Sequence, residues 1–135
     1  MDSFDDILDN ISGKVKIVNL PIMRNIMLFS DLKALFLLIS IFRKNKFSLV
    51  HSVSPKAGLL CAISAWITGI PNRLHTFTGQ VWVTKKGIFR WVLKLFDRLI
   101  VALNTNILVD SHSQQNFLIK ENLFFKKSSL VLGRG

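Results

Sequence analysis

The sequence has little sulfur, few acidic residues and no tyrosine. Among its 135 residues there is one cysteine, and eight aspartates and glutamates stand against eighteen lysines and arginines. Cys61 alone cannot form a disulfide framework or a cysteine metal cluster, and the three histidines lack the spacing of a metal-ligand set. We therefore expect no metal site, and we expect a reducing, cytoplasmic compartment.

Long hydrophobic runs are also missing. No segment reaches the roughly 18 uninterrupted apolar residues that a membrane-spanning helix needs. The two closest runs, 34–42 and 57–70, are interpreted as helices buried against a sheet. The first residues are acidic, which is the reverse of a signal peptide. Because half of the residues are apolar, the chain is predicted to form a single globular domain.

The charge balance indicates the kinds of partner. A net charge of +10 suits nucleic acid, an anionic membrane surface or phosphorylated small molecules. A non-enzymatic, basic α/β module that binds RNA or an anionic membrane surface is therefore one functional class to test. Its lysines would contact phosphates. The aromatic residues do not favour RNA, because Phe36, Phe42, Trp66 and Phe96 are interpreted as core residues and not as platforms for stacked bases.

Hydrophobic periodicity divides the chain into alternating strands and helices. Strands are predicted at 14–20, 49–50, 73–77, 106–109 and 129–132. Helices are predicted at 2–12, 32–44, 54–69, 88–103 and 111–121, and a long loop at 78–86. Ser30 or Asp31 is predicted to cap the second helix, and Pro55 to stand at the first position of the third. The alternation predicts an α/β fold, a Rossmann-like parallel sheet with helices on both faces.

Polar and glycine residues follow two of the predicted strands. His51 and Ser52 end one strand, and Thr78, Gly79 and Gln80 follow the next. Parallel sheets bind ligands outside the carboxyl ends of their strands, so these five residues are predicted to contact substrate. Lys56 lies on the first turn of the intervening helix, where it and the free N–H groups are predicted to hold an acceptor phosphate.

A basic row is predicted on the helix at 88–103. Lys86, Arg90, Lys94 and Arg98 recur every four residues and therefore share one face. The opposite face is formed by Trp91, Val92, Leu95, Phe96 and Leu99, with Trp82 nearby in the sequence. Basic amphipathic helices bind anionic membrane surfaces. The row, together with Lys85, is predicted to contact the membrane or a lipid diphosphate, and a solvated helix face is the alternative.

Four segments together resemble the family-4 glycosyltransferases, which are retaining enzymes with two Rossmann-like domains (GT-B). These segments are His51–Gly58, Gly69–Pro71, Thr76–Gly79 and Asp110–Gln115. Their order is typical of the N-terminal, acceptor-side domain, and the similarity is greatest to bacterial enzymes that build capsular, O-antigen or other lipid-linked surface polysaccharides. The resemblance covers about residues 14–135.

The resemblance implies that residues 1–135 are a single, partial N-terminal domain, with the first strand and the second domain missing. The second domain would bind the nucleotide-sugar donor and supply a pair of glutamates, whereas Glu121 is the only glutamate here. The implied function is transfer of a sugar to a lipid-linked or saccharide acceptor, with this chain inactive alone. The implied location is the cytoplasm, peripherally on the inner face of the cell membrane.

One departure from the family pattern concerns the catalytic residue. Many relatives carry His-Gly where this chain has Thr78-Gly79, and that histidine contacts the donor sugar near the reacting carbon. Threonine donates a hydrogen bond but lacks an imidazole. His75 lies three residues earlier and would face the opposite side of the strand. The catalytic residue of the chain is therefore left unassigned.

Overall fold

The computed structural model describes residues 15–23, 25–123 and 129–133. The strands are β1 (Leu49–Ser52), β2 (Asn72–Phe77), β3 (Asn106–Val109) and β4 (Ser129–Val131). The helices are α1 (Leu28–Asn45), α2 (Pro55–Ile67), α3 (Gly87–Leu103) and α4 (His112–Lys120), and a short 3₁₀ turn spans Val81–Thr84.

The described strands form one parallel sheet in the order β1-β2-β3-β4. Because neighbouring strands are also consecutive in the chain, right-handed crossovers place α2, α3 and α4 on the same face of the sheet. His75 and Phe77 of β2 point to that face, and His51, Leu74 and Thr76 point to the other. The predicted α/β fold with a Rossmann-like parallel sheet is confirmed, and helical cover of the second face stays a prediction.

Within the described ranges, two hydrophobic cores hold the helices to the sheet and to each other. The first joins the sheet, α3 and α4 through Phe77, Trp82, Ile100, Ile107, Val109 and Leu118. The second lies mainly between α1 and α2 and contains Ala34, Leu38, Phe42, Leu60, Ala65 and Ile70. The first core fixes the turn that follows β2, and the second fixes α1 against α2.

Local sequence explains how α2 begins and ends. Pro55 occupies its first position, where the missing N–H has no intrahelical partner to lose. After Thr68, Gly69 adopts a left-handed φ of +72°. The Gly69 N–H donates to the carbonyl of Trp66 and the Ile70 N–H to that of Ala65. This is a Schellman ending, and it turns the chain towards β2.

Three predictions about the elements are wrong. Residues 15–20 form no strand; Leu20 instead packs against the core between α1 and α2. Helix α1 begins at Leu28, so Asp31 lies inside its first turn and accepts a hydrogen bond from the Met27 N–H over 3.1 Å. The loop at 78–86 contains the Val81–Thr84 turn. The helix predicted at 2–12 lies outside the described residues.

Candidate functional site

Polar side chains of β1 and β2 form two pairs at the carboxyl edge of the sheet. The His51 Nε2 atom lies 2.8 Å from Thr76 Oγ1, and Ser52 Oγ lies 2.9 Å from His75 Nδ1. The strand register sets Ser52 beside His75 and His51 beside Leu74. Because side chains alternate along a strand, the two pairs lie on opposite faces of the sheet. His51 is exposed, whereas His75 is fully buried.

His75 is a neutral imidazole packed against the backbone of α2. Burial, and secondarily the charge of His51, lower the pKa of His75 to about 4. A Cβ atom on Gly58 would lie 2.5 Å from His75 Cε1, so only glycine leaves room for the ring. His75 Nε2 is buried without a hydrogen-bond partner. We therefore assign the proton to Nδ1, which donates it to Ser52 Oγ.

His75 has no predicted role from the sequence, yet the structure places it at the carboxyl edge of the sheet beside Ser52. Its contact with Ser52 spans 23 residues of sequence, so only the pairing of β1 with β2 reveals it. The apolar helix pattern interrupted by Gly58 is the one signal that could have indicated a close neighbour. Ser52, predicted to contact substrate, is itself buried and held by this contact.

Lys56 lies in the first turn of α2, as predicted, but it already has partners. Its ammonium group is 2.6 Å from the Asp31 Oδ1 atom. It also donates to the carbonyl oxygen of Met23 over 2.7 Å and to that of Asn25. Lys56 therefore fastens the segment before α1 to the start of α2. Contact with an acceptor phosphate stays a prediction, in competition with these three partners.

Residues 78–80 continue directly from the end of β2. Thr78 and Gly79 are exposed, and Gln80 is partly buried. The Gln80 Nε2 atom is buried and has no hydrogen-bond partner within the described residues. The structure thus brings His51, Ser52 and residues 78–80 to one edge of the sheet, with His51, Thr78 and Gly79 open to solvent.

The basic row of α3 faces the protein more than the sequence suggested. Lys94 donates to the Glu121 carboxylate over 2.6 Å, and Arg90 lies 3.9 Å from it. Both cations also lie over the ring of Trp82, at 5.2 and 5.5 Å from its centre. The hydrogen bond from Lys94 is the main reason why the pKa of Glu121 is lowered. Lys85 and Lys86 are exposed, whereas Arg98 is half-buried.

The apolar side of α3 is partly open to solvent. Trp91, Leu95 and Leu99, which belong to the predicted apolar face, are exposed, Trp91 by 61%. The buried tryptophan is Trp82, which is 1% exposed. Phe36 and Trp66, interpreted as core residues, are also exposed. Membrane or diphosphate contact by Lys85, Lys86, Arg90, Lys94 and Arg98 remains a prediction.

Trp82 is held by a buried carboxylate. Its indole N–H donates to Asp97 Oδ2 over 2.7 Å, and its ring stacks on Phe117. Burial raises the pKa of Asp97 to about 6, and the hydrogen bond from Trp82 opposes that shift. Asp97 interrupts an apolar run of α3, which is the sequence signal that could have indicated this contact.

An apolar cleft opens beside these residues. It has a volume of about 270 Å³. Its walls come from the segment leading into α1, the first turns of α1 and α2, the Val81–Thr84 turn and the middle of α3. Aliphatic and aromatic side chains form most of the lining, among them Ile26, Leu28, Leu59, Val81, Leu93 and Phe96. No local sequence pattern indicates this cleft, because its walls come from four separate segments of the chain.

The described residues contain neither a membrane-spanning helix nor a cluster of metal ligands. None of the helices in these ranges combines the length and the apolar character needed to cross a bilayer. Nor do three or more histidine, cysteine, aspartate or glutamate side chains in the described part of the chain cluster closely enough to hold a metal ion.

Comparisons with known proteins add a family and two relatives. Residues 9–131 match the profile of the glycosyl transferase 4-like domain. The capsular polysaccharide biosynthesis glycosyltransferase CapM of Staphylococcus aureus is 40% identical over 116 residues, which are 86% of this chain and 30% of CapM. An Escherichia coli enzyme, UDP-Gal:alpha-D-GlcNAc-diphosphoundecaprenol alpha-1,3-galactosyltransferase, is 30% identical over 115 residues, 84% of this chain and 30% of that enzyme. The chain therefore spans about a third of the length of both relatives.

Proposed function

Because the chain belongs to the glycosyl transferase 4-like family, we propose that it forms the acceptor-side domain of a retaining glycosyltransferase. The complete enzyme would transfer a sugar from a nucleotide-sugar to a lipid-linked saccharide during synthesis of a bacterial surface polysaccharide. The two relatives support this proposal by their names: one belongs to capsular polysaccharide biosynthesis, and the other uses UDP-galactose and a diphosphoundecaprenol-linked acceptor. The nucleotide-sugar would bind mainly to a second domain.

The observation that carries the proposal is the set of exposed polar groups at the carboxyl edge of the sheet. His51 is held through Nε2 by Thr76, which leaves its Nδ1 atom for a ligand. Thr78 and the backbone of Gly79 lie beyond the end of the neighbouring strand. Such groups fix the orientation of an acceptor hydroxyl or diphosphate, and orientation is a large part of enzymatic rate enhancement.

The chemistry assigned to these residues is positioning and charge stabilisation. His51 would donate a hydrogen bond to the acceptor, and Thr78 would donate one where many relatives use a histidine. Preorganised donors of this kind stabilise charge that develops in the transition state. The same proposal places the enzyme at the inner face of the cell membrane, where a lipid-linked acceptor would lie, with Lys85 and Lys86 near its diphosphate.

Acceptor binding by the 135-residue chain tests the proposal. We expect the chain to bind a lipid-linked N-acetylglucosamine diphosphate and to bind UDP-galactose at least tenfold more weakly, measured by calorimetry. His51→Ala should weaken acceptor binding about tenfold, the loss of one charge-assisted hydrogen bond. His112→Ala is the matched control, because His112 is an exposed histidine on α4. Tight binding of UDP-galactose without acceptor binding would contradict the proposal.

A further inference from the structure

We infer that the apolar cleft beside Trp82 binds an isoprenoid hydrocarbon chain, the lipid part of the acceptor. The inference rests on the proposed function, because that function supplies a lipid-linked acceptor. It adds a binding site on this chain for the part of the acceptor that does not react. Four features support it: the position of the cleft, the state of its polar groups, the surface around its opening and its size.

The cleft lies at the same edge of the sheet as the candidate acceptor site. Its wall includes Pro55 and Lys56, which follow the end of β1. It also includes Val81 and Trp82, which follow the end of β2. His51 and Thr78 stand at these same two strand ends. The His51 side chain points to the face of the sheet opposite α2 and α3, so a lipid whose head group is held near His51 and Thr78 would pass over the ends of these two strands to reach the cleft.

The charged groups that line the cleft are already paired. The Asp31 carboxylate binds the Lys56 ammonium group over 2.6 Å. The Asp97 carboxylate accepts the indole N–H of Trp82 over 2.7 Å. A polar ligand would have to replace these partners, whereas a hydrocarbon gains stability by removing apolar surface from water. The lining therefore favours a hydrocarbon over a sugar or a nucleotide.

The surface around the opening suits a lipid with an anionic head group. Leu28 lines the cleft and is 80% exposed, and Val81 is about half exposed. Phe29, Val83 and Ile88, which lie close in sequence to Leu28, Val81 and Lys86, also have exposed apolar side chains. Lys85 and Lys86 directly follow the Val81–Thr84 turn and are exposed. Apolar side chains beside lysines complement an isoprenoid chain beside a diphosphate.

The volume of the cleft limits how much of the chain it holds. At about 270 Å³ it lies at the lower end of the roughly 300–1,000 Å³ range of ligand pockets. A few isoprene units fill such a space, and the rest of a long polyprenyl chain would remain in the bilayer. Affinity should therefore rise with chain length at first and then level off.

Binding of short prenyl diphosphates to the 135-residue chain tests the inference. Calorimetry would compare inorganic pyrophosphate with geranyl, farnesyl and geranylgeranyl diphosphates, without detergent and below their aggregation concentrations. We expect farnesyl diphosphate to bind at least tenfold more tightly than pyrophosphate. Equal affinities for these two probes would overturn the inference, because the hydrocarbon would then contribute nothing.

Variants at the cleft separate specific binding from general hydrophobic association. Leu28→Asp and Val81→Asp change exposed side chains that line the cleft, so the fold should tolerate them, as circular dichroism can verify. Each should weaken farnesyl diphosphate binding about tenfold and leave pyrophosphate binding unchanged. Phe36→Asp is the matched control, since Phe36 is an exposed apolar residue of α1 outside the lining. An equal loss in Phe36→Asp would contradict a site in the cleft.

A second pair of probes separates this inference from the proposed function. One is N-acetylglucosamine diphosphate carrying a farnesyl chain, and the other carries a methyl group instead. If both bind equally well, the cleft does not hold the lipid and the acceptor proposal still stands. A different outcome would separate them the other way: farnesyl diphosphate binds, Leu28→Asp weakens that binding, and neither sugar-bearing probe binds. The cleft would then be a site for the hydrocarbon chain, and the acceptor proposal would fail.

Discussion

Two ionisable side chains are buried among the residues that the structure describes, and the two differ in how each is accommodated. His75 lies between β1 and α2, with Ser52 as its hydrogen-bond partner. Asp97 lies on α3, with Trp82 as its partner. Burial lowers the pKa of His75 to about 4 and raises that of Asp97 to about 6. Burial disfavours the charged form in both cases, so the two pKa values move in opposite directions.

At neutral pH the two sites are therefore in different states. His75 is uncharged and needs no counter-charge, so the Ser52 hydroxyl group and the space above Gly58 are sufficient to accommodate its buried ring. Asp97 is mostly ionised, and it depends on the Trp82 N–H for its hydrogen bond. Lys94 and Arg90 lie over the face of that same indole. Loss of the hydrogen-bond partner should therefore lower the stability of the fold more at Asp97 than at His75.

The largest expected effect comes from removing that partner. Trp82→Ala should lower the free energy of unfolding by about 3–5 kcal/mol, since it deletes a buried indole and leaves the Asp97 carboxylate without its donor. Urea denaturation measures the change. Trp91→Ala is the control: Trp91 is on the surface of α3, and its loss should cost within about 0.5 kcal/mol. Similar losses in both variants would show that Trp82 is not the buried tryptophan.

The pH dependence of stability tests the two sites together. Because the pKa of Asp97 is raised, this carboxyl group binds its proton more tightly in the folded state than in the unfolded state. Its contribution to the free energy of unfolding therefore falls by about 3 kcal/mol as the pH rises from about 4 to 6. Because the pKa of His75 is lowered, this imidazole binds its proton more tightly in the unfolded state than in the folded state. Its contribution to the free energy of unfolding therefore rises by a similar amount between about pH 4 and 6.5. The two contributions should nearly cancel.

Single variants would reveal each contribution. Relative to the unmodified protein, Asp97→Asn should show stability that rises with pH between about 4 and 6.5, and His75→Gln should show stability that falls between about 4 and 6. The measurement is a series of urea denaturation curves across this range. If neither variant changes how the free energy of unfolding depends on pH, then neither side chain has a shifted pKa in the folded state.

The fit of His75 against α2 gives a smaller expected effect. Gly58→Ala places a methyl group 2.5 Å from His75 Cε1, and such overpacking costs about 1–3 kcal/mol. The double variant Gly58→Ala with His75→Ala should lose less than the sum of the two single variants, because removing the ring removes the clash. Additive losses would indicate that the methyl group clashes with another group.

The smallest effect is expected at the surface edge of the Trp82 site. Glu121→Gln removes the charge that pairs with Lys94 and Arg90, and the resulting loss of stability should be slight and should shrink as salt screens the pair. Thermal denaturation at low and high ionic strength would detect it. An effect as large as that of Trp82→Ala would show that the ion pairs, and not the indole, hold α4 to α3.

The sequence predicts most of the elements, because local signals define them. Alternating apolar residues predict β2 and β3, and Pro55 and Gly69 mark the ends of α2. The strand predicted at 14–20 failed because its alternation has no partner strand among the described residues; Val15 and Ile17 are about half exposed. A strand depends on its neighbour as well as on its own pattern.

The candidate site could be predicted only in part. The residues that follow β1 and β2 do meet at one edge, because parallel strands end together. The sequence could not predict which side of α3 meets the protein, because periodicity separates a charged side from an apolar side without saying which one is buried. In the structure, Arg90 and Lys94 lie over the buried ring of Trp82, which places this side of α3 against the Val81–Thr84 turn. The cleft combines four separate segments, and no local pattern reveals such a combination.

The strand order has a consequence for how the chain acquires its structure. Each strand pairs with the next one in sequence: Leu49 pairs with Asn72, Leu74 with Asn106 and Ile107 with Ser129. Every pairing therefore closes a loop of only about 20–30 residues, which keeps the entropy cost of each step low. During synthesis, each strand–helix unit can dock on the one before it as it leaves the ribosome, so the sheet can grow in the direction of translation.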